Sequence, residues 1–255
     1  MTNKLFKLLI FLNLFMLIYL PIMAVAKTWE YPSILPTKYT LEFVEQCFSN
    51  KYFIGTLINT ITIGVLSTTI AVVVGYLTAE ALYSYDIKGK SLIKFIALSP
   101  IVIPTFSLVS GMHISMIRSN LAGTILGVSI VHSIFAIPYC LWIFLDTFKI
   151  IGKAYEIQSK SLGANFFQTF IYVKLPMLKS SFYSCAILSF SISLSQYIVT
   201  FFVGNGKTET FTTILVPYIQ NHRYQIASVY SIVIILLGCS FAGIIRFITK
   251  WRCFK

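Results

Sequence analysis

Six long apolar runs follow one another along the chain, and the short segments between them hold most of its charged residues. Each run is long enough to cross a bilayer as a helix, which is required because lipid offers no hydrogen-bond partner to free backbone groups. The runs lie near residues 6–26, 55–80, 92–112, 123–148, 181–203 and 226–248. The pattern predicts an all-α, polytopic membrane protein with about six transmembrane helices.

The composition agrees with this prediction and limits the number of domains. Hydrophobic residues make up 57% of the chain and charged residues 11%, whereas roughly a quarter of the residues in soluble domains are charged. The mean hydropathy is +0.82. Six spans with short connections use almost all of the 255 residues. We therefore expect residues 1–255 to form a single transmembrane domain.

The first apolar run allows two interpretations. It follows Lys4 and Lys7 and ends near Ala24 and Ala26, a pair that resembles the cleavage site of a signal peptide. The run is longer than the apolar region of most signal peptides, and further spans come after it. We therefore favour a retained first span over a cleaved signal.

Lysine and arginine residues are distributed unevenly between the two sides of the membrane. If the N-terminus lies inside, fourteen of these residues face the cytoplasm and six face the outside. Positive residues accumulate on the cytoplasmic side, so both termini are predicted to be cytoplasmic. The net charge of +12 therefore reflects topology. Nucleic acid is not an expected partner, because the basic residues form no face with interleaved aromatic residues.

The second run carries a strip of small or hydroxyl-bearing residues. They recur at a spacing that places most of them on one side of a helix: Thr60, Gly64, Ser67, Thr68, Ala71 and Gly75. Such a strip lets another helix approach closely. We favour this packing role over the lining of a pathway.

Candidate chemistry is sparse along the chain. The five cysteines show no C-x-x-C spacing and the three histidines no H-x-x-x-H pattern, so neither a metal site nor a catalytic site is expected. His132, inside a predicted span, is expected to be a packed, hydrogen-bonded residue. Residues 204–208 (GNGKT) end like a phosphate-binding loop, but Phe201 stands where the motif requires glycine. We interpret this segment as a turn and expect neither a cofactor nor an enzyme activity.

A half-polar segment, residues 156–176 (EIQSKSLGANFFQTFIYVKLP), separates the fourth and fifth runs. A short helix is predicted over 153–162, a left-handed turn at Gly163, and a second helix capped by Asn165. Pro176 predicts a break before the next span. The second helix is apolar on more than one face, so it should rest either on the bilayer or on a partner protein.

Several anchors in this segment have a specific spacing. Gly163 is followed after nine residues by Val173, and Leu175-Pro176 ends the segment. This order resembles the "EAA" loop of permease subunits in bacterial binding-protein-dependent ABC importers, which reads roughly E-A-A, three residues, G, nine residues, I or V, one residue, L-P. The chain departs from that pattern by having its acid, Glu156, one residue early.

The resemblance extends to other parts of the chain and implies a function. Asn59-Thr60, Pro100 with Pro104, and Pro138-Tyr139 are similar to family positions in the second, third and fourth spans. The resemblance implies a type I permease fold whose loop, here called the coupling hairpin (residues 149–180), docks on a separate ATPase. The residues implied in ATPase coupling are Glu156, Ile157, Gly163, Ala164, Phe167, Val173, Leu175 and Pro176.

The same resemblance implies a set of partners. They are two ATPase copies, a second permease subunit that is identical or homologous, an external substrate-binding protein, and the lipid of a bacterial inner membrane. The nearest-looking permeases are those for polyamines, thiamine and ferric iron. The alternative is a secondary transporter or channel, which would call for a carboxylate at mid-depth. The acids within runs, Glu80 and Asp146, instead lie near predicted cytoplasmic ends.

The fifth run contains a polar stripe at helical spacing, formed by Ser189, Ser193, Gln196 and Thr200. Hydroxyl and amide groups inside a span either join helices or line a wet path. Because the stripe is long and Gln196 lies near the middle of the run, we favour lining. Family members whose translocation path uses this span support the same interpretation by analogy.

Overall fold

The structure is a computed structural model that describes residues 18–30 and 32–251, with side chains for all of these except 249–251. The first predicted run, and with it the choice between a retained span and a cleaved signal, lies mostly outside the described residues. Its last part, residues 18–25, is helical and is called α1.

A small cap follows α1 at one end of the helical bundle. It consists of two short antiparallel strands, β1 (Ala26–Thr28) and β2 (Lys38–Tyr39), and of helix α2 (Glu42–Phe48). Cys47 of α2 is buried in an apolar cluster with residues of the C-terminal helices. The cap therefore closes one end of the bundle, here called the cap end. The coupling hairpin lies at the other end, called the hairpin end.

Three long helices form the centre of the bundle. They are α3 (Phe53–Ser84), α6 (Ile125–Ile151) and α9 (Leu175–Leu194), which share one apolar core. The small-residue strip of α3 is buried. A Cβ added at Gly75 would lie 2.5 Å from Cys140 Cβ of α6. The packing role predicted for the strip is confirmed, because larger side chains would push these helices apart.

The third predicted run is a sharply bent pair of helices, α4 (Lys90–Val102) and α5 (Thr105–Arg118). The direction of the chain changes by 111° between the two helices. Pro104 has no N–H to continue the helical ladder, and it holds Ile103 in an extended conformation. The single helix expected over 92–112 is therefore wrong.

The fifth span begins earlier than predicted. After α7 (Ala154–Ser161), α8 (Phe166–Thr169) continues through a π-helical turn, Phe170–Lys174, into α9 without a break. The break predicted at Pro176 is wrong, because the helix passes through this proline directly after the π-helical turn, where the hydrogen bonds are already rearranged.

The break in the fifth run falls instead after residue 194. Ser195 and Gln196 separate α9 from α10 (Tyr197–Val203), so the helix predicted over 181–203 is interrupted. Helices α11 (Phe211–Gln220) and α12 (Tyr224–Trp251) complete the chain. Within the described residues, four helices and the bent pair can cross a membrane. With the largely undescribed first run, this agrees with an all-α permease of about six spans.

Candidate functional site

The turn of the coupling hairpin has the geometry that its sequence predicts. Gly163 has a φ of +84°, and its N–H donates to the carbonyl of Lys160 at 3.0 Å. Asn165 Oδ1 accepts from the Gln168 N–H, and Gln168 Oε1 accepts from the Asn165 N–H, both at 2.9 Å. The left-handed turn and the Asn165 cap are thus confirmed, and the two helices meet at a defined angle.

The outer side of the hairpin is strongly apolar. Four exposed side chains, called the apolar hairpin surface, are Ile157, Leu162, Phe166 and Phe167. Leu162 is 84% exposed and Phe167 72%. The Phe166 and Phe167 rings also contact each other, and large exposed apolar side chains grouped on one short segment are typical of an interaction surface. Two residues implied in coupling, Ile157 and Phe167, belong to this surface.

The other residues implied in coupling lie around it. Gly163 is exposed at the turn and Ala164 is half-buried beside it. Val173 is half-buried where the hairpin joins the bundle, and Leu175 and Pro176 are exposed at the start of α9. These residues shape the turn and the root of the hairpin, while the exposed apolar side chains stand further out.

Glu156 is turned toward the rest of the chain. Its Oε1 accepts from Lys160 Nζ at 2.8 Å, and its Oε2 lies 3.0 Å from Lys174 Nζ. Lys174 also pairs with Glu80 of α3. We call Glu80, Glu156 and Lys174 the ion cluster. Burial opposes ionisation of Glu156, but hydrogen bonds from the two lysines outweigh it, so the pKa of Glu156 lies below its ordinary value of 4.5.

The sequence did not indicate that Lys174 and Thr169 join the hairpin to α3 and its two helices to each other. Thr169 is buried, and its hydroxyl shares a 3.1 Å hydrogen bond with Ser159 across the hairpin. Lys174 and Glu80 are 94 positions apart, so no local pattern brings them together. The available signal was an acid inside an apolar run, which requires a partner when it is buried.

A cavity lies where the two interrupted spans face each other. It has a volume of about 440 Å³ and is lined by residues 100–105 at the α4–α5 bend and by Ser195 and Gln196 at the α9–α10 break. Phe135 and Tyr139 of α6 form another wall. None of the described residues that line it is Asp, Glu, Lys, Arg or His, so the cavity presents amide, hydroxyl and apolar groups.

Three of the four residues predicted to line a path do not border this cavity, and one of them, Thr200, borders a second cavity of about 420 Å³ beside Asn205 and Gly206. Ser189, Ser193 and Thr200 are buried against α6. Ser189 Oγ is 3.1 Å from Cys140 Sγ. His132 Nδ1 is 2.8 Å from Ser193 Oγ, and its Nε2 is 3.0 Å from Thr200 Oγ1. In this structure these hydroxyls join helices, and Gln196 alone of the four contacts the cavity at the α4–α5 bend.

His132 has the packed, hydrogen-bonded environment that was predicted for it. Its ring is fully buried and bonds to one residue on each side of the Ser195–Gln196 break. It thereby holds α10 in a fixed position relative to α9. These two hydrogen bonds act together with backbone hydrogen bonds such as that from the Gln196 N–H to the Ser193 carbonyl.

Residues 204–208 form a turn at the cap end, as predicted. Asn205 and Gly206 both have positive φ angles, and Thr208 Oγ1 donates to the carbonyl of Gly123 at 2.8 Å. Among the residues that the structure describes, no three His, Cys, Asp or Glu side chains are grouped closely enough to hold a metal ion.

Comparison with known proteins places this architecture in a family. The profile of the family described as "Binding-protein-dependent transport system inner membrane component" matches residues 71–251. The spermidine/putrescine transport system permease protein PotC of Haemophilus influenzae is 24% identical over 216 residues, covering 83% of this chain and 82% of that protein.

Two further relatives come from systems for other solutes. The trehalose transport system permease protein SugB of Mycobacterium tuberculosis is 29% identical over 65% of this chain and 61% of its own length. The sulfate transport system permease protein CysT of Escherichia coli is 25% identical over 66% of this chain and 65% of its own. The chain thus spans a little under two thirds of each of these two relatives.

A solved structure has a similar fold. A chain of a bacterial ABC transporter involved in the import of the acidic polysaccharide alginate superposes with a TM-score of 0.73 at 17% identity, covering 99% of this chain and 94% of that chain. A chain of a bacterial alginate ABC transporter, solved in complex with alginate pentasaccharide-bound periplasmic protein, superposes with a TM-score of 0.70 at 16% identity, covering 97% of this chain and 91% of that chain. The bent spans, the hairpin and the family match lead to one conclusion: the chain belongs to the inner-membrane components of binding-protein-dependent transport systems.

Proposed function

We propose that the chain is one permease subunit of an ATP-driven importer and that its coupling hairpin docks on a separate ATPase. The observation that carries this proposal is the apolar hairpin surface, four large exposed side chains on a turn whose geometry is fixed by Gly163 and Asn165. A surface of this kind at the end of two capped helices fits a groove on a partner protein. ATP hydrolysis belongs to that partner.

The assembly that we propose has several parts. Two ATPase copies bind a pair of permease subunits, the second of which is identical or homologous to this chain. An external binding protein delivers the solute at the cap end. The family assignment and the periplasmic protein in the complex of the alginate transporter support this arrangement. The excess of lysine and arginine at the hairpin end supports a cytoplasmic position for both termini in a bacterial inner membrane.

The translocation path that we propose runs through the 440 Å³ cavity. Gln196 offers it an amide, and Ser195 and Tyr139 line the same space. A tightly held polycation would call for carboxylates, which this lining does not provide. We propose a small solute that passes with low affinity, while selectivity resides in the binding protein. The candidate solutes are polyamines, sugars and oxyanions, which are named for the relatives' systems. The sequence resemblance adds thiamine and ferric iron to these candidates.

The docking proposal is tested by co-purifying the detergent-extracted chain with candidate ATPase subunits. Phe167→Ser should abolish co-purification, because it removes a large exposed apolar side chain from the hairpin. The matched control is Tyr85→Ser, which removes a comparably exposed aromatic side chain just after α3 at the same end. Equal binding by both variants would contradict the proposal. Solute transport by the chain in liposomes without an ATPase would favour the secondary-transporter or channel alternative.

The path proposal needs a separate measurement. Uptake of a polyamine, a sugar and an oxyanion is measured in the complete transporter with its binding protein, before and after exchange of that protein for one of different specificity that still docks. Selectivity should follow the exchanged binding protein. A change of selectivity in Gln196→Ala with the original binding protein would refute the low-affinity path.

A further inference from the structure

The ion cluster lies at the root of the hairpin, where its members pair with one another and are largely buried. The side chain of Lys174 is 13% exposed and that of Glu80 14%. The three members come from three separate elements: Glu80 from α3, Glu156 from α7, and Lys174 from the π-helical turn. Replacing buried ion pairs by apolar side chains is often neutral or stabilising. The cluster therefore calls for an explanation beyond fold stability.

The position of Lys174 indicates what the cluster controls. It is the last residue of the π-helical turn, in which the N–H of Leu175 donates to the carbonyl of Phe170. Such turns are rare and are among the recognised causes of helix kinks. The hairpin thus joins α9 through a turn at which the helix can bend. A force applied to the apolar hairpin surface would bend the helix at this turn, unless another contact held the hairpin in position relative to the bundle.

A second contact ties the hairpin to the same end of α3. Lys153 Nζ donates to the carbonyl of Ser84 at 3.2 Å and stands 5.5 Å from the centre of the Tyr83 ring. Helix α3 packs along the core with α6 and α9. A hairpin held to the end of α3 can therefore move α3 together with α6, and Phe135 and Tyr139 of α6 line the cavity.

We propose that the ion cluster is a brace that makes the coupling hairpin and α3 move as one body. Movement of a docked ATPase would then reach the cavity at the α4–α5 bend and would not be lost by bending at the π-helical turn. Lys174 acts in this scheme as a positioning residue, because it binds both carboxylates at once. The inference rests on the proposed docking of the hairpin to an ATPase.

The test compares Lys174→Met with Lys160→Met in the complete transporter, reconstituted in liposomes. Lys160 also pairs with Glu156, but its side chain is 60% exposed and this ion pair lies within α7. Lys174→Met should keep ATPase binding and hydrolysis while uptake per ATP falls by about fivefold or more, the lower range of measured coupling between sites. Lys160→Met should stay close to the unaltered protein.

A charge exchange separates the brace from a general structural role. Glu80→Lys combined with Lys174→Glu restores the pair between α3 and the π-helical turn when all variants also carry Glu156→Gln, which removes the second carboxylate beside position 174. The double variant should recover part of the uptake per ATP that either single change loses. No recovery, together with equal loss of folded protein in all three variants, would overturn the brace.

A distance measurement gives a readout that does not depend on the ATPase. Spin labels at Ile157 and Tyr85 report the separation between the hairpin and the end of α3. The distribution of distances should broaden in Lys174→Met and not in Lys160→Met. Failure of the unaltered chain to bind any ATPase would overturn the proposed function and this inference with it. Normal binding with undiminished uptake per ATP in Lys174→Met would overturn the brace alone.

Discussion

Replacement of Gly163 by valine tests whether the shape of the hairpin turn matters for coupling. Gly163 has a φ of +84°, and a Cβ built on it would meet no atom within 4 Å. The substitution therefore introduces backbone strain without a clash. A residue other than glycine in this left-handed region costs about 1–2 kcal/mol, and a β-branched residue is among the least suited to it.

The size of this strain determines which properties of the Gly163→Val variant should change. A strain of about 1.4 kcal/mol lowers the population of the native turn about tenfold relative to competing turn conformations. It leaves the packing of α3, α6 and α9 untouched, so the protein should still insert and fold. We expect Gly163→Val to keep normal expression and thermal stability while ATPase binding and uptake per ATP fall. Gly163→Asn should be milder, because asparagine tolerates this region better.

Gly89 offers a matched control. Its φ is +81°, it likewise has no atom within 4 Å of a built Cβ, and it lies in the turn before α4, outside the hairpin. Gly89→Val introduces the same strain in another place and should leave coupling unchanged. The measurement is ATP hydrolysis and solute uptake by the reconstituted transporter. Normal uptake per ATP in Gly163→Val, or an equal loss in Gly89→Val, would refute the reasoning.

Three more predictions concern the bundle and the hairpin root. Gly75→Val should lower the thermal unfolding midpoint, since its Cβ would lie 2.5 Å from that of Cys140 and overpacking costs about 1–3 kcal/mol, whereas Gly55→Val, with no atom within 4 Å, should not. His132→Phe leaves the buried Ser193 hydroxyl without its imidazole partner, at about 1–3 kcal/mol, while Thr200 still donates to the carbonyl of Gln196, and the same unfolding assay should register the loss. The lowered pKa of Glu156 means that its ionised form stabilises the hairpin above pH 4.5 and that this contribution is lost as the pH falls through the lowered value. Limited proteolysis of the hairpin should therefore quicken on acidification, and Glu156→Gln should be cleaved readily at neutral pH with a smaller dependence on pH.

The helical fold and the hairpin turn were predictable because their causes are local. Apolar runs of sufficient length, the left-handed preference of Gly163 and the cap at Asn165 act over a few residues. The positions of the helix breaks were harder to predict from the sequence. Pro176 carried a breaking signal, yet the helix passes through it, because the π-helical turn before it rearranges the hydrogen bonds. The Ser195–Gln196 break has no proline or glycine and depends on distant contacts such as those of His132.

The polar stripe of the fifth run shows what periodicity leaves open. The spacing correctly grouped Ser189, Ser193 and Thr200 on one side, since all three are buried against α6. It could not tell which neighbour that side faces. Whether these hydroxyls join helices or line a path depends on where α6 and the α4–α5 bend lie. Contacts between residues so far apart in the sequence cannot be predicted from the spacing within one run.

The π-helical turn also determines the direction in which the hairpin points. An α-helix rotates by about 100° per residue, and the bond between Leu175 and Phe170 encloses one residue more than an α-helical turn does. Deleting the exposed Tyr172 would restore the ordinary ladder and swing the hairpin roughly a third of a turn around the axis of α9. The direction in which the hairpin projects from the axis of α9 therefore depends on the number of residues in this turn and changes by about 100° for each residue inserted or deleted. An ATPase that fits this chain should not bind a hairpin with the same surface that projects in the direction produced by such a deletion.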